Sequence, residues 1–422
     1  MVSKPLLVKA ALCTLVTWMG APLLAAFELR DSDRVVFFGD TLVEDQLFSR
    51  YVETFVRVRY PALQTCFINS GVSGQGAADG LRRLERDLGS LRPTIVVVCF
   101  GLHDPDLQPL DPTRLAAFRK SYEGLLEAIP KLGARMVLIT PPRPHGNLRL
   151  AEVPDYSEIV GRYAATISEL GQARQIPIVD WFSTCGQVPS LLAANAGEDS
   201  ERPQNILRPP KLAHAIVAAQ LLKLWQADPI RVDISIDWAT GVASTSSGSI
   251  HIRENTPASL TASLQDLPLP WPMPGIHPEK EELTGWPGAE LCQFILRIDN
   301  PPPQGVNLVW RSKQFPFEAA ALRAGVDIGY LQPLRLSREY RELVEQIDSR
   351  HRWHHHRMAP RRPQDAELQE AYETYIRAME LYEEGTAKII LRLPKTFETL
   401  LQFRARPAED PSTPAADGSA PR

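Results

Sequence analysis

A chain of 422 residues with 44% hydrophobic content is long enough to bury a full core and to hold more than one domain. Its formal charge of −4 and isoelectric point near 6.2 leave no global basic footprint, which argues against nucleic acid as a partner.

The N-terminus carries Lys4 and Lys9, then an uncharged apolar run that ends in Leu23-Leu24-Ala25-Ala26. A basic end, an apolar middle and small residues before the first charged segment describe a secretory signal peptide over residues 1–26. The expected product is secreted or periplasmic, with no stable membrane span once the signal is removed. Four cysteines follow it, Cys66, Cys99, Cys185 and Cys292, too few and too widely spaced for a disulfide framework.

From residue 27 to 228, strand and helix signals alternate. Apolar, β-rich runs at 35–39, 66–69, 94–100, 135–140 and 176–180 each hand over to a helical stretch, at 45–59, 80–88, 114–129, 156–174 and 211–225. That alternation predicts a three-layer α/β/α sandwich around a parallel sheet. Right-handed crossovers then place every strand's carboxyl end on one edge, where ligands of open α/β sheets collect.

Polar residues gather in the loops at that edge. They read Gly39-Asp40-Thr41, Asn69-Ser70-Gly71-Val72-Ser73-Gly74, Gly101-Leu102-His103-Asp104 and Pro141-Pro142-Arg143-Pro144-His145. Thr41 is a candidate nucleophile, although a hydroxyl at a strand end serves equally well as a turn or helix cap. The glycines suit turns whose backbone N–H groups approach a developing oxyanion. Gly71 to Gly76 has the spacing GxxGxG rather than GxGxxG, and no acidic residue ends a second strand to bind ribose. No cofactor is expected.

In order and spacing these blocks resemble the SGNH, or GDSL-type, hydrolase superfamily over about 200 residues. The resemblance implies a flavodoxin-like sandwich and an ester-bond hydrolase whose substrate is a small ester or a carbohydrate ester. In that family a serine attacks the acyl carbon, and a histidine oriented by an aspartate three residues earlier takes its proton. The serine amide, a glycine amide and an asparagine side chain hold the oxyanion. Matched block by block, Thr41 stands for the serine, Gly74 falls in the glycine block, and His103 stands for the asparagine. The last block falls on Asn205-Ile206-Leu207-Arg208-Pro209, so Asn205 and Arg208 replace the aspartate and histidine.

Those replacements change the chemistry available. Thr41 is β-branched and more crowded than serine, but it serves when a base is near. Arg208 stays protonated and cannot accept the hydroxyl proton. Asn205 cannot stabilise an imidazolium as a carboxylate does. His103, beside Asp104, brings a titratable ring into the cleft and is the candidate replacement base, with His145 as a second. The alternative is a catalytically inactive pseudo-hydrolase in which Arg208, with the Gly74 and Thr41 amides, binds an anionic or carbohydrate ligand.

Beyond residue 228 the pattern changes. Residues 229–334 carry alternating segments separated by proline and glycine and predict a β-rich domain, with the proline-dense stretch 267–278 as a loop or linker. Residues 335–385 predict a charged helical segment broken near 359–363, and 386–422 a C-terminal segment with a disordered tail. Exported bacterial members of the superfamily carry features similar to Ala324-Gly325-Val326 and His351-Arg352-Trp353. His351, His354, His355 and His356 include an i, i+4 pair, but the surrounding arginines oppose a divalent cation. No metal is expected there; a basic helix end or an interface with a polyanion is the preferred reading.

Overall fold

The computed structural model describes residues 29–144, 156–187, 209–271, 288–310, 313–329, 331, 337–358 and 365–407. The signal-peptide reading falls outside them. No helix among the described residues is long and apolar enough to cross a membrane.

Five parallel strands form the first sheet: β1 (Arg34–Gly39), β2 (Cys66–Gly71), β3 (Ile95–Cys99), β4 (Arg135–Ile139) and β5 (Ile178–Val179). Their order is β2-β1-β3-β4-β5, the flavodoxin-like order. β1 and β3 are apolar almost throughout because both faces of a parallel sheet are covered. On one side lie α3 (Ala77–Gly89), α4 (Pro112–Ala128) and α5 (Tyr156–Ala173), packed on Val36, Phe38, Val96 and Val98. The other side carries α1 (Thr41–Glu44), α2 (Leu47–Arg59), α6 (Trp181–Gln187) and α7 (Lys211–Leu224), over Val35, Phe37 and Val97. Helix α2 buries Phe48, Tyr51, Val52, Phe55 and Val56, an apolar stripe at helical spacing. Helix α7 is buried almost all round and belongs to the same continuous core cluster as the apolar residues of the C-terminal sheets.

Two further sheets follow. One has the order β13 (Val326–Asp327), β10 (Cys292–Asp299), β6 (Ile230–Asp237) and β7 (Ala243–Thr245). The other runs β12 (Lys313–Phe317), β11 (Val306–Trp310), β14 (Thr396–Ala405), β9 (Ser259–Pro268) and β8 (Ser249–Asn255). Between β12 and β13 in sequence comes α8 (Ala319–Ala324), and between β13 and β14 come the long helices α9 (Arg338–Met358) and α10 (Ala366–Arg392).

Two expectations are corrected here. The β-rich region does not stop at residue 334, because β14, drawn from the segment read as a C-terminal extension, lies between β9 and β11. Its alternating burial shows why it pairs: Phe397, Leu401 and Phe403 enter the core while their neighbours face water. The proline-dense stretch is also no free linker at its start. Leu267, Leu269 and Trp271 are fully buried, and Trp271 stands edge-on to Phe55 while its Nε1–H donates to the Tyr51 carbonyl at 2.8 Å.

Candidate active site

The strand order reverses between β1 and β3, and a crevice opens at the carboxyl ends of strands flanking such a switch point. Thr41 follows β1 and His103 follows β3, so both chain segments enter the crevice. Asp40 caps α1, its Oδ1 accepting from the Leu42 amide at 3.0 Å, and this fixes Thr41 as the first residue of the helix. The Asp40 amide donates to the Cys99 carbonyl at 3.2 Å and ties the turn to β3.

The glycine loop is held just as firmly. Asn69 Nδ2 donates to the Val43 carbonyl at 2.5 Å, and Asn69 Oδ1 accepts from the Gly71 amide at 3.1 Å. Arg83, buried on α3, lies 4.4 Å from the Phe38 ring centroid. From there it donates to the Gly39 carbonyl at 2.8 Å and the Ser70 carbonyl at 3.1 Å, joining the ends of β1 and β2. Gly74 has φ of +73°, a conformation that costs glycine little and turns its N–H toward Thr41.

Among the described residues, three groups converge on the Thr41 hydroxyl. His103 Nε2 lies 2.7 Å from Oγ1, Ser73 Oγ lies 2.8 Å away, and the Gly74 amide donates at 3.1 Å. Thr41 itself is only 4% exposed, whereas Ser73 is exposed and His103 half-buried. Burial lowers the His103 pKa below its ordinary value, favouring a neutral ring able to accept a proton.

Two carboxyls lie close behind. Burial pushes Asp40 up to about 8, with the negative charge of Asp104 adding to the effect. Burial also raises Asp104 to about 6, against backbone hydrogen bonds that lower it. Asp104 Oδ1 accepts from the Ala77 amide at 2.8 Å and so caps the start of α3. Glycine at 76 makes room for it, since a Cβ there would stand 2.6 Å from that oxygen. Among the described residues, Asp104 therefore holds a helix rather than the His103 ring.

Thr41, Gly74, His103, Asp40 and Asp104 thus share one rim, while His145, Asn205 and Arg208 lie outside the described residues. Ser73 was not among the residues singled out by sequence, although Ser73-Gly74 stands within the glycine loop itself. The histidine-rich helix is elsewhere. His351 is not part of a basic surface: it is buried, and its Nε2 lies 2.7 Å from Glu53 Oε2 on α2. The side chains of His354, His355 and His356 lie outside the described residues. Among the described residues no group of histidine, cysteine, aspartate and glutamate is arranged to hold a metal ion. His214 is buried in α7, stacked on Phe48 and set against Trp181.

Residues 37–214 match the family model described as GDSL-like lipase/acylhydrolase. Over the whole chain the fold is similar to that of a gut microbial diltiazem-metabolizing enzyme, at TM-score 0.63 and 15% identity. The match covers 90% of this chain and 98% of that one, and so includes the C-terminal sheets and helices. An acetylxylan esterase from Geobacillus stearothermophilus (17% identity, TM-score 0.40) aligns over 47% of this chain and 96% of its own. A lipase/acylhydrolase from Enterococcus faecalis (21% identity, TM-score 0.37) aligns over 46% and 95%. No curated protein matches the sequence.

Proposed function

We propose that this chain, whose residues 37–214 belong to the GDSL-like lipase/acylhydrolase family, is an exported esterase of small acyl or carbohydrate esters with a rewired catalytic pair. The observation that carries this reading is the 2.7 Å contact between Thr41 Oγ1 and His103 Nε2. Distance and a ring kept neutral by burial meet the two demands on a general base.

In the first half-reaction the Thr41 oxygen bonds to the acyl carbon, the carbonyl electron pair moves onto its oxygen, and the hydroxyl proton passes to His103 Nε2. The bond to the leaving alkoxide then breaks, and that oxygen takes the proton from His103. Water repeats the sequence on the acyl-threonine, giving its proton to His103. Thr41 recovers a proton as it leaves, so ester and water become acid and alcohol. The Gly74 amide and the Thr41 amide, one of the helix-terminal N–H groups without an intrahelical acceptor, are suited to hold the oxyanion.

The test is an alkyl fluorophosphonate probe applied to the full chain, followed by peptide mapping. Covalent label on Thr41, absent from Thr41→Ala, is the expected result; no label on wild type, or label elsewhere, would refute the assignment. The pH profile supplies a second check. A base must be unprotonated to work, so kcat/KM rises with pH, passes half-maximum below the ordinary histidine value of 6.5, and stays level above it. A midpoint above 7 would contradict His103 as the base.

A further inference from the structure

The hydrogen count around Thr41 Oγ1 restricts how its neighbours are used. A hydroxyl oxygen has one proton to give and two lone pairs to accept with. If His103 Nε2 is the acceptor, as the esterase reading above requires, the Thr41 proton lies on that 2.7 Å bond. The Gly74 amide at 3.1 Å occupies one lone pair. The remaining neighbour among the described residues, Ser73 Oγ at 2.8 Å, must then be a donor, its O–H directed at the second lone pair. In the resting site both lone pairs of the nucleophile are covered, and one donor has to leave before attack.

Ser73 is the donor free to do so. Gly74 contributes a backbone N–H fixed by its loop at 3.1 Å, long enough to be shared with an oxyanion that forms beside Oγ1, whereas Ser73 contributes a hydroxyl on an exposed side chain that can turn about χ1. As the Thr41 oxygen bonds to carbon, it becomes an ester oxygen and a poorer acceptor. The full charge develops on the carbonyl oxygen attached to that same carbon. A hydroxyl already within 2.8 Å of the attacking atom needs a small rotation to meet it. His103 is unsuited to that duty, because at this instant it holds the proton meant for the leaving group.

We infer that Ser73 is a catalytic residue, the side-chain hydrogen-bond donor to the oxyanion of the acyl-transfer step, completing a hole whose other donors are the Gly74 and Thr41 amides. The inference rests on the Thr41–His103 reading and is tested so that the two can fail separately.

The experiment measures 4-nitrophenyl acetate hydrolysis by the full chain for wild type, Ser73→Ala, Ser73→Thr and Thr41→Ala, each across pH, with thermal melts to confirm folding. Removing one oxyanion donor is expected to lower kcat about 10²–10³-fold. KM should stay within about twofold and the pH midpoint should not move, because the donor acts in the transition state and not on the base. Ser73→Thr, which keeps a hydroxyl, should recover most of the loss. Ser73→Ala within threefold of wild type, while Thr41→Ala is inactive, would overturn the donor role and leave the esterase reading intact. A shifted pH midpoint in Ser73→Ala would mean that the residue acts through His103, and would also overturn it. Fluorophosphonate label on Ser73 would make it the nucleophile instead. Absence of wild-type turnover and of any label would remove the esterase reading, and the donor role with it.

Discussion

Thr41→Ala is expected to abolish turnover of acetyl esters, by about 10³-fold or more, and His103→Ala to lower it by about 10²–10⁴-fold. The argument is one of geometry and substitution. A threonine hydroxyl attacks poorly unless a base is in contact, and the ring 2.7 Å away is the base the described residues provide. Nucleophile and base act as a unit, so Thr41→Ala combined with His103→Ala should be no slower than Thr41→Ala alone. Steady-state kinetics on the three variants checks this. Multiplying losses would show that the two residues act independently and would separate His103 from proton transfer. His103→Asn, which installs an amide of similar size at this position, should be as inactive as His103→Ala, because an amide can donate to an oxyanion but cannot take a proton.

Glu53→Ala is expected to destabilise the fold by about 3–5 kcal/mol. Glu53 is fully buried on α2 and is shared by Arg57 on the same helix, at 3.2 Å, and by Arg350 and His351 on α9. Burial alone would raise its pKa, but Arg350, His351 and Arg57 outweigh burial and hold it well below the ordinary carboxylate range. Removing the carboxylate leaves Arg57 and Arg350 buried, facing each other without their shared anion, which is why the cost exceeds that of a surface pair. The same network joins α9 to the sandwich, with Arg50 Nη1 on Asp348 at 2.6 Å and Gln46 Nε2 donating to the His351 carbonyl at 3.1 Å. Urea denaturation of Glu53→Ala measures the loss, and a change below about 1 kcal/mol would contradict this account. The pH sign follows from the lowered pKa. The contribution is fully present above the unfolded glutamate value of about 4.3 and is lost as pH falls through the folded value, so the wild-type excess over Glu53→Ala should shrink in acid.

Much of the architecture is legible in the residues because it is written in local pattern. Short apolar runs followed by helical periodicity mark the five parallel strands, and the handedness of their crossovers sends every carboxyl end to one edge. Hence Thr41, Gly74 and His103 could be assigned to loops at one edge before any distance was known. Signals weakened where burial depends on a distant partner. Strand β14 lies in what reads as a C-terminal segment until β9 and β11 are placed on either side of it. Trp271 sits among prolines that suggest an extended linker, and its burial is decided by Tyr51 and Phe55 on α2.

What the sequence by itself determined is the sandwich and the rim of loops, since each depends on residue type and spacing along the chain. Tertiary structure alone decided that His103 meets Thr41, that Ser73 turns toward the same oxygen, and that Asp104 turns away to cap α3. It also decided that Glu53 is matched by residues nearly 300 positions later. The physical reason is the same in each case: a side chain's rotamer and charge state are set by packing and hydrogen bonds from other segments, and nothing in its own stretch of chain records which segment will arrive.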